Sequence, residues 1–293
     1  MPDMSPLGRV AIVGAGQIGT TIGQALMVAD PSCGVDEIGL FDREPQTAAA
    51  SLALGGGDRI LATPDLVLRA DTIILAVPVG GIVHWVGEWG RRLRPGCLLL
   101  DTGSSKGMVV AAMREGISAS VAAVGGHPIC GAESPGPAAA SRAMLAGARF
   151  VLSPVRSDPA AMGRAARLVE CLGAVPVSME AALHDRIVAR SSHLPHLLAG
   201  ALAQLCSRAR DDGADVSLLL GPGFLGATRL AVAEPEMVAS FVVANASPVA
   251  AALRELGAEL LRLGDMVSGD PADLVRFLEA GAEARRQLLA EPR

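Results

Sequence analysis

Apolar residues along the chain follow two rhythms. As far as about residue 180 they come in short unbroken runs: RVAIVG (9–14), EIGLFD (37–42), DTIILAVP (71–78), GCLLLDTGS (96–104), VAAVGG (121–126), ARFVLSP (148–154) and AVPVSM (174–179). Runs without polar alternation read as strands buried on both faces, and stretches of helical character separate them, as in a parallel sheet. From about Ala181 the strand pattern stops. Ala/Leu-rich helical segments follow, at roughly 181–211, 214–220, 234–266 and 271–290. The expected fold is an α/β Rossmann-type N-terminal domain (1–180) followed by an all-α C-terminal domain (181–293). Ligands should lie at the carboxyl ends of the strands, facing the helical part.

The first run ends in Gly14-x-Gly16-x-x-Gly19, and TTIGQALMVAD continues it as a helix. Gly14 permits the tight turn, Gly16 lets backbone approach a pyrophosphate, and Gly19 lets helix and strand pack closely. The helix N-terminus adds N–H groups and a positive dipole end. Gln17 and Ile18, between the glycines, are counted with this cofactor site. Asp42 closes the second strand, 23 residues past Gly19, where a carboxylate accepts the ribose hydroxyls of NAD. Arg43 beside it could instead accommodate the 2′-phosphate of NADP. NAD is the expected cofactor.

Composition narrows the function. The net charge is −5 with basic residues scattered, so neither a nucleic-acid stripe nor a membrane-binding face is read. The N-terminal stretch has no charged segment followed by a long apolar one, and no apolar run reaches membrane-spanning length. Five scattered cysteines without a CxxC pair fit reduced thiols and a cytoplasmic location. Arginine outnumbers lysine twenty-four to one. In a chain so biased, the single Lys106 is expected to do something specific.

Polar groups gather at three strand ends. They are Asp101-Thr-Gly-Ser104-Ser105-Lys106, Gly125-Gly126-His127-Pro128, and the turn with Pro78 and Gly80. His127 is read as a loop residue aimed into a cleft, where it and Ser104 could meet over a nicotinamide. Ser104 reads equally as the N-cap of the helix that follows. Downstream, HDRIVARSSHLPH brings His184, Asp185, His193 and His196 within thirteen residues, with Pro195 expected to bend the helix. His193 and His196 share a helix face. Zinc would need more ligands than this spacing offers, so no metal is expected. A substrate-facing histidine pair and a packed core histidine remain the two readings. Finally, Gly221-Pro222-Gly223 reads as a breaker before Thr228-Arg229, an arginine able to clamp a carboxylate with two parallel hydrogen bonds.

Taken in order, GAGQIG, DTGSSK, GGHPICGAE, SSHLPH and GPGFLGATRLA resemble the motifs of the prephenate/arogenate dehydrogenase family, across roughly residues 8–285. The resemblance implies nicotinamide-dependent oxidative decarboxylation of prephenate or arogenate, in tyrosine biosynthesis, by a cytoplasmic homodimer whose helical domain serves substrate and dimerisation. It implies that His127 is the catalytic group, that Ser104 bonds the same substrate hydroxyl, and that Arg229 holds a substrate carboxylate. His196, His193 and Glu133 would line the substrate pocket. The chain departs from the family pattern at Ala132, at Leu225-Gly226 and at Ala233, each in place of a polar group. An analogue such as 4-amino-4-deoxyprephenate is therefore an alternative substrate. Two other classes are weighed. A β-hydroxyacid dehydrogenase would need a lysine in the helical domain, where none exists. A non-catalytic NAD sensor would not need His127, Ser104 and Arg229 together.

Overall fold

The structure is a computed structural model that describes residues 6–131, 136–209 and 215–290. Its centre is an eight-stranded sheet: β1 (Gly8–Val13), β2 (Val35–Phe41), β3 (Arg59–Ile60), β4 (Thr72–Leu75), β5 (Leu98–Asp101), β6 (Ala122–Pro128), β7 (Arg149–Pro154) and β8 (Val175–Ser178), in the spatial order β3-β2-β1-β4-β5-β6-β7-β8. Strand order reverses between β1 and β4, the switch point that opens a ligand crevice in doubly wound sheets. All pairings are parallel except β6 with β7. The uniformly parallel reading is corrected there, because an antiparallel return needs no crossover helix.

The central runs bury both faces, whereas β8 at the edge buries no residue. Along β5, Leu98 and Leu100 enter one core and Leu99 the other. Helices α1 (Gln17–Leu26), α2 (Pro45–Ala53), α3 (Pro64–Val67), α4 (Val79–Trp89), α5 (Gly107–Gly116) and α6 (Pro159–Cys171) connect the strands. Ile22 and Leu26 of α1 join Ala165 and Leu168 of α6 on the first face. Ile82 and Val86 of α4 join Val109 and Met113 of α5 on the second. Each fully buried aliphatic side chain contributes about 1.5–3 kcal/mol. Cys33 and Cys171 form a disulfide, with Cα atoms 6.1 Å apart. The expectation of five reduced thiols is corrected accordingly. The two lie 138 residues apart, and only the packing of α6 against the turn at Pro31–Cys33 unites them.

Beyond β8 the chain is helical: α7 (Ala181–Val188), a π turn at Ala189–His193, α8 (Leu194–Arg208), α9 (Pro222–Thr228), α10 (Pro235–Ala244), α11 (Ala246–Val267) and α12 (Pro271–Ala290). Two sequence readings change. Gly221-Pro222-Gly223 starts α9 rather than breaking the chain, since proline is preset for the first helical position. The segment 234–266 is two helices, α10 ending at its C-cap Asn245. The chain divides into two compact units, Met1–Ala246 and Ser247–Arg293. In the second, α12 buries no residue and carries Val275, Leu278, Leu288 and Leu289 exposed. Among the described residues no single helix is long and apolar enough to cross a membrane.

Candidate active site

The nucleotide cradle is formed mainly by backbone. Gly14 adopts φ +94°, and a Cβ there would lie 2.4 Å from the Ala76 carbonyl oxygen. A Cβ on Gly19 would lie 1.8 Å from the Gly14 oxygen, so only glycine lets α1 sit against the turn. Gly16, the N-cap of α1, differs: a Cβ added there meets nothing within 4 Å. Open space above the helix N-terminus is what a pyrophosphate needs. Gln17 opens α1 and donates from Nε2 to the Ala139 oxygen (3.4 Å), while Ile18 packs against the first core. Asp42 follows β2 and accepts hydrogen bonds from Ala15 N (2.8 Å) and Glu44 N (2.9 Å). Those two bonds leave acceptor sites on the carboxylate for ribose hydroxyls. Arg43 is exposed and lies 3.9 Å from Glu44. Pro78 is the N-cap of α4 at the carboxyl end of β4. These groups fit a dinucleotide.

His127 lies within β6, opposite Val151 of β7, and not on a loop as its Gly-Gly and Pro neighbours suggested. Pairing with β5 stops at Val124 while pairing with β7 runs on to Pro128. The histidine is thus held on one side by strand pairing and partly exposed at the sheet's carboxyl end. Its Nδ1 is 2.8 Å from His184 Nε2, and His184 Nδ1 is 2.8 Å from Asp185 Oδ1. The carboxylate can only accept, so it places the His184 proton on Nδ1. With both rings neutral, His184 Nε2 accepts from His127 Nδ1–H, and His127 Nε2 keeps its lone pair. Burial, with the neighbouring Lys106 cation, holds the His127 imidazole well below its ordinary pKa. That keeps it in the proton-accepting form.

Asp185 also accepts from Lys106 N and Gly107 N, both at 2.7 Å, so a carboxylate on α7 caps α5. Although burial opposes ionisation of Asp185, these bonds and His184 bring its pKa below the usual carboxylate value. The N-cap of α5 is Lys106, with no side-chain cap, so Ser104 does not serve as that cap. Ser104 stands instead on the turn between β5 and α5, partly exposed.

The helical residues divide. His193 is 1% exposed, stacks on Phe241 with ring centroids 4.7 Å apart, and has Nδ1 3.3 Å from Asn245 Nδ2. Burial lowers its pKa to about 4. This is a packed core histidine, yet its Nε2 finds no hydrogen-bond partner among the described residues. His196, partly exposed, donates from Nδ1 to the Ser192 oxygen (2.9 Å) and keeps Nε2 as acceptor. Pro195 follows the π turn, where the widened backbone accommodates the ring and leads into α8 without a break. Arg229 lies exposed in the turn Arg229–Val232, which packs on α8. Glu133 and Ala132 fall outside the described residues. Among those described, no group of three or more His, Cys, Asp or Glu side chains could hold a metal ion. A cavity of about 670 Å³ beside the disulfide, lined by Asp30, Cys33, Arg167 and Cys171, includes none of the motif residues, so size alone does not locate the chemistry.

A histidine with a free ring acceptor at the same sheet edge as a dinucleotide cradle fits many dehydrogenases, and family models decide among them. The one described as the nucleotide-binding domain of prephenate dehydrogenase matches residues 31–178, and the one described as its dimerization domain matches 180–280. The chain belongs to the prephenate dehydrogenase family. It is 28% identical to a cyclohexadienyl dehydrogenase of Zymomonas mobilis over 98% of this chain and 97% of that one. It is 31% identical to the probable prephenate dehydrogenase NovF of Streptomyces niveus over 88% of this chain and 68% of that one. A crystal structure of prephenate dehydrogenase from A. aeolicus, in complex with hydroxyphenyl propionate and NAD+, superposes with a TM-score of 0.88 at 25% identity, covering 97% and 99% of the two chains. The family's activity is this protein's: nicotinamide-dependent oxidative decarboxylation of a cyclohexadienyl carboxylate in tyrosine biosynthesis.

The residues that sequence reasoning passed over are Asp101 and Asn245, and the partnership of His184 with Asp185. Asn245 holds the Asp185 carbonyl through Nδ2 (2.8 Å). Asp101 was visible only as the first residue of DTGSSK, and His184-Asp185 only as part of a histidine-rich stretch.

Proposed function

We propose that this member of the prephenate dehydrogenase family prefers NAD, acts on prephenate or arogenate as a homodimer, and uses His127 as its general base. The observation that carries the reading is the hydrogen-bonded chain Asp185–His184–His127, which leaves His127 Nε2 as a proton acceptor beside the nucleotide cradle. The bound nicotinamide supplies the hydride acceptor. His127 Nε2 accepts the proton of the C4 hydroxyl as that carbon loses hydride. Ser104 hydrogen-bonds the same hydroxyl and fixes its direction. The ring carboxylate then leaves as carbon dioxide, its bonding pair entering the ring, and the proton returns to the oxygen that becomes the phenol.

Arg229 clamps a substrate carboxylate, and His196 and Glu133 line the pocket; His193, packed on Phe241 and 1% exposed, is left out of that lining. In this reading residues 1–180 hold the nucleotide, while 181–293 serve substrate and dimer. The name of the family model over 180–280 and the exposed leucines of α12 support the homodimer. Asp42 supports NAD, because a carboxylate repels a 2′-phosphate. The apolar Ala132, Leu225-Gly226 and Ala233 favour a second reading, in which the substrate is an amino analogue such as 4-amino-4-deoxyprephenate.

The test is NADH or NADPH formation by purified protein supplied with prephenate, arogenate or 4-amino-4-deoxyprephenate. We expect NAD-linked turnover of prephenate or arogenate. A higher kcat/KM with NADP overturns the role of Asp42, and preferential turnover of the amino analogue replaces the first substrate reading with the second.

A further inference from the structure

The Lys106 side chain is fully buried. Its ammonium pairs with Asp101 Oδ2 and donates to the Gly126 oxygen at 2.5 Å. Asp101 Oδ1 in turn accepts from Gly126 N (2.8 Å), and its Oδ2 from Gly103 N (2.7 Å). Both polar groups of Gly126, the residue before His127, are therefore held by this one ion pair. The other end of the same lysine holds the opposite end of the histidine chain, since Lys106 N donates to Asp185 Oδ1, the atom beside His184 Nδ1. The contacts close into a ring: Lys106 to Gly126, along the chain to His127, then to His184, Asp185 and back to Lys106.

We propose that Lys106 is a positioning residue for the general base, anchoring the His127 main chain through Asp101 and Gly126 and the His127 side chain through Asp185 and His184. This rests on the reading of His127 as the base. The side-chain half of the ring, from Nζ to Asp101 and Gly126, is what needs a lysine in a chain otherwise given to arginine, whereas the main-chain bond to Asp185 does not depend on it. A fully buried site where one group meets a carboxylate and a carbonyl suits a compact ammonium, whereas a planar guanidinium carries five donors that would all need partners there. Charge acts in the same direction as geometry. The groups facing His127 are His184 and Asp185 from α7, His193 from the π turn, Lys106 before α5 and Asp101 at the end of β5. Among them the Lys106 cation is the largest influence after burial in keeping the imidazole unprotonated.

The experiment compares Lys106→Met, the double variant Asp101→Asn/Lys106→Met, and His127→Asn as the dead reference. The single variant strands a buried carboxylate and loses stability, whereas the double removes both charges and recovers it. In the folded double variant we expect kcat to stay down about 10- to 100-fold, as for a displaced reacting group. NAD affinity and substrate KM should remain within about two-fold of wild type, since neither contact touches substrate or cofactor. In Lys106→Met the acid limb of the kcat profile should move upward. Titrating the histidine ring resonances without substrate, with His127 identified by its loss in His127→Asn, reads that movement independently of turnover. Normal kcat in the double variant, or an unmoved His127 titration in Lys106→Met, overturns the proposal. A wild-type enzyme that fails to oxidise prephenate and its analogues overturns the proposed function instead, and the titration still decides the role of Lys106.

Discussion

The nucleotide cradle and the proton-accepting site lie at the same edge of one sheet and are built from opposite materials. Steric absence defines the cradle: at Gly14 and Gly19 any side chain would collide with backbone, and at Gly16 there is space. Side chains from β5, β6 and α7, and from the turn before α5, define the proton site, each fixed by hydrogen bonds to the others. A cradle of that kind is specified by three local residues. A ring of partners is specified only when distant segments meet. The first should fail by collision and the second by misdirection of a proton.

Four measurements press on that difference, and the largest effect belongs to the base. His127→Asn should fold and bind NAD normally yet lose about 10²- to 10⁴-fold in kcat, the usual contribution of a positioned base. Near-wild-type kcat would make this strand histidine structural. Asp185→Asn is the sharper probe of misdirection. An amide NH₂ facing His184 Nδ1 would push the His184 proton to Nε2 and the His127 proton to Nε2 in turn, leaving no acceptor for substrate. A loss of about 10- to 100-fold is expected, set below the effect of deleting the base itself. Raising the pH should not restore it, because a tautomer and not a charge is wrong. Recovery at high pH would refute the tautomer argument.

The cradle is probed by contrasting two alanines. Gly19→Ala must displace α1 or the turn, at about 1–3 kcal/mol, so both Tm and NAD affinity should fall. Gly16→Ala meets no protein atom, so Tm should hold while NAD affinity falls. Equal thermal losses in both variants would break the assignment of the open space to a ligand. Near neutral pH the smallest effect is the pH dependence of stability, which grows only on acidification. His193 and His127 are both held below the ordinary imidazole range by burial, so the unfolded chain binds more protons than the folded one below about pH 6.5. Stability should therefore fall on acidification, for His193 between about pH 6.5 and 4, by at most about 3 kcal/mol at the lower end. Thermal melts of wild type and His193→Gln across that range check it, and identical slopes would place the loss elsewhere.

By itself the sequence determined whatever depends on neighbours along the chain. Unbroken apolar runs marked the strands of the sheet except the two-residue β3; along the central β1, β4 and β5 the cause is burial on both faces, which leaves no polar alternation. The spacing of Gly14, Gly16 and Gly19 marked the cradle, because all three sit in one strand–turn–helix unit, although the contact that demands glycine at Gly14 comes from Ala76, just past β4. Tertiary structure decided whatever needs two distant segments. His127 read as a loop residue because its glycines and proline suggest a turn, whereas antiparallel pairing with β7 makes it part of a strand. Gly221-Pro222-Gly223 read as a breaker, while packing on α8 accompanies a helix that starts at Pro222. Cys33 met Cys171 across 138 residues, and Asp185 crossed 79 to cap α5, which no local pattern announces. Lys106 stood out by composition alone, but only the fold shows what it holds. A hydrogen-bonded ring fixes its members through distances of about 3 Å in space, and sequence separation carries no information about those.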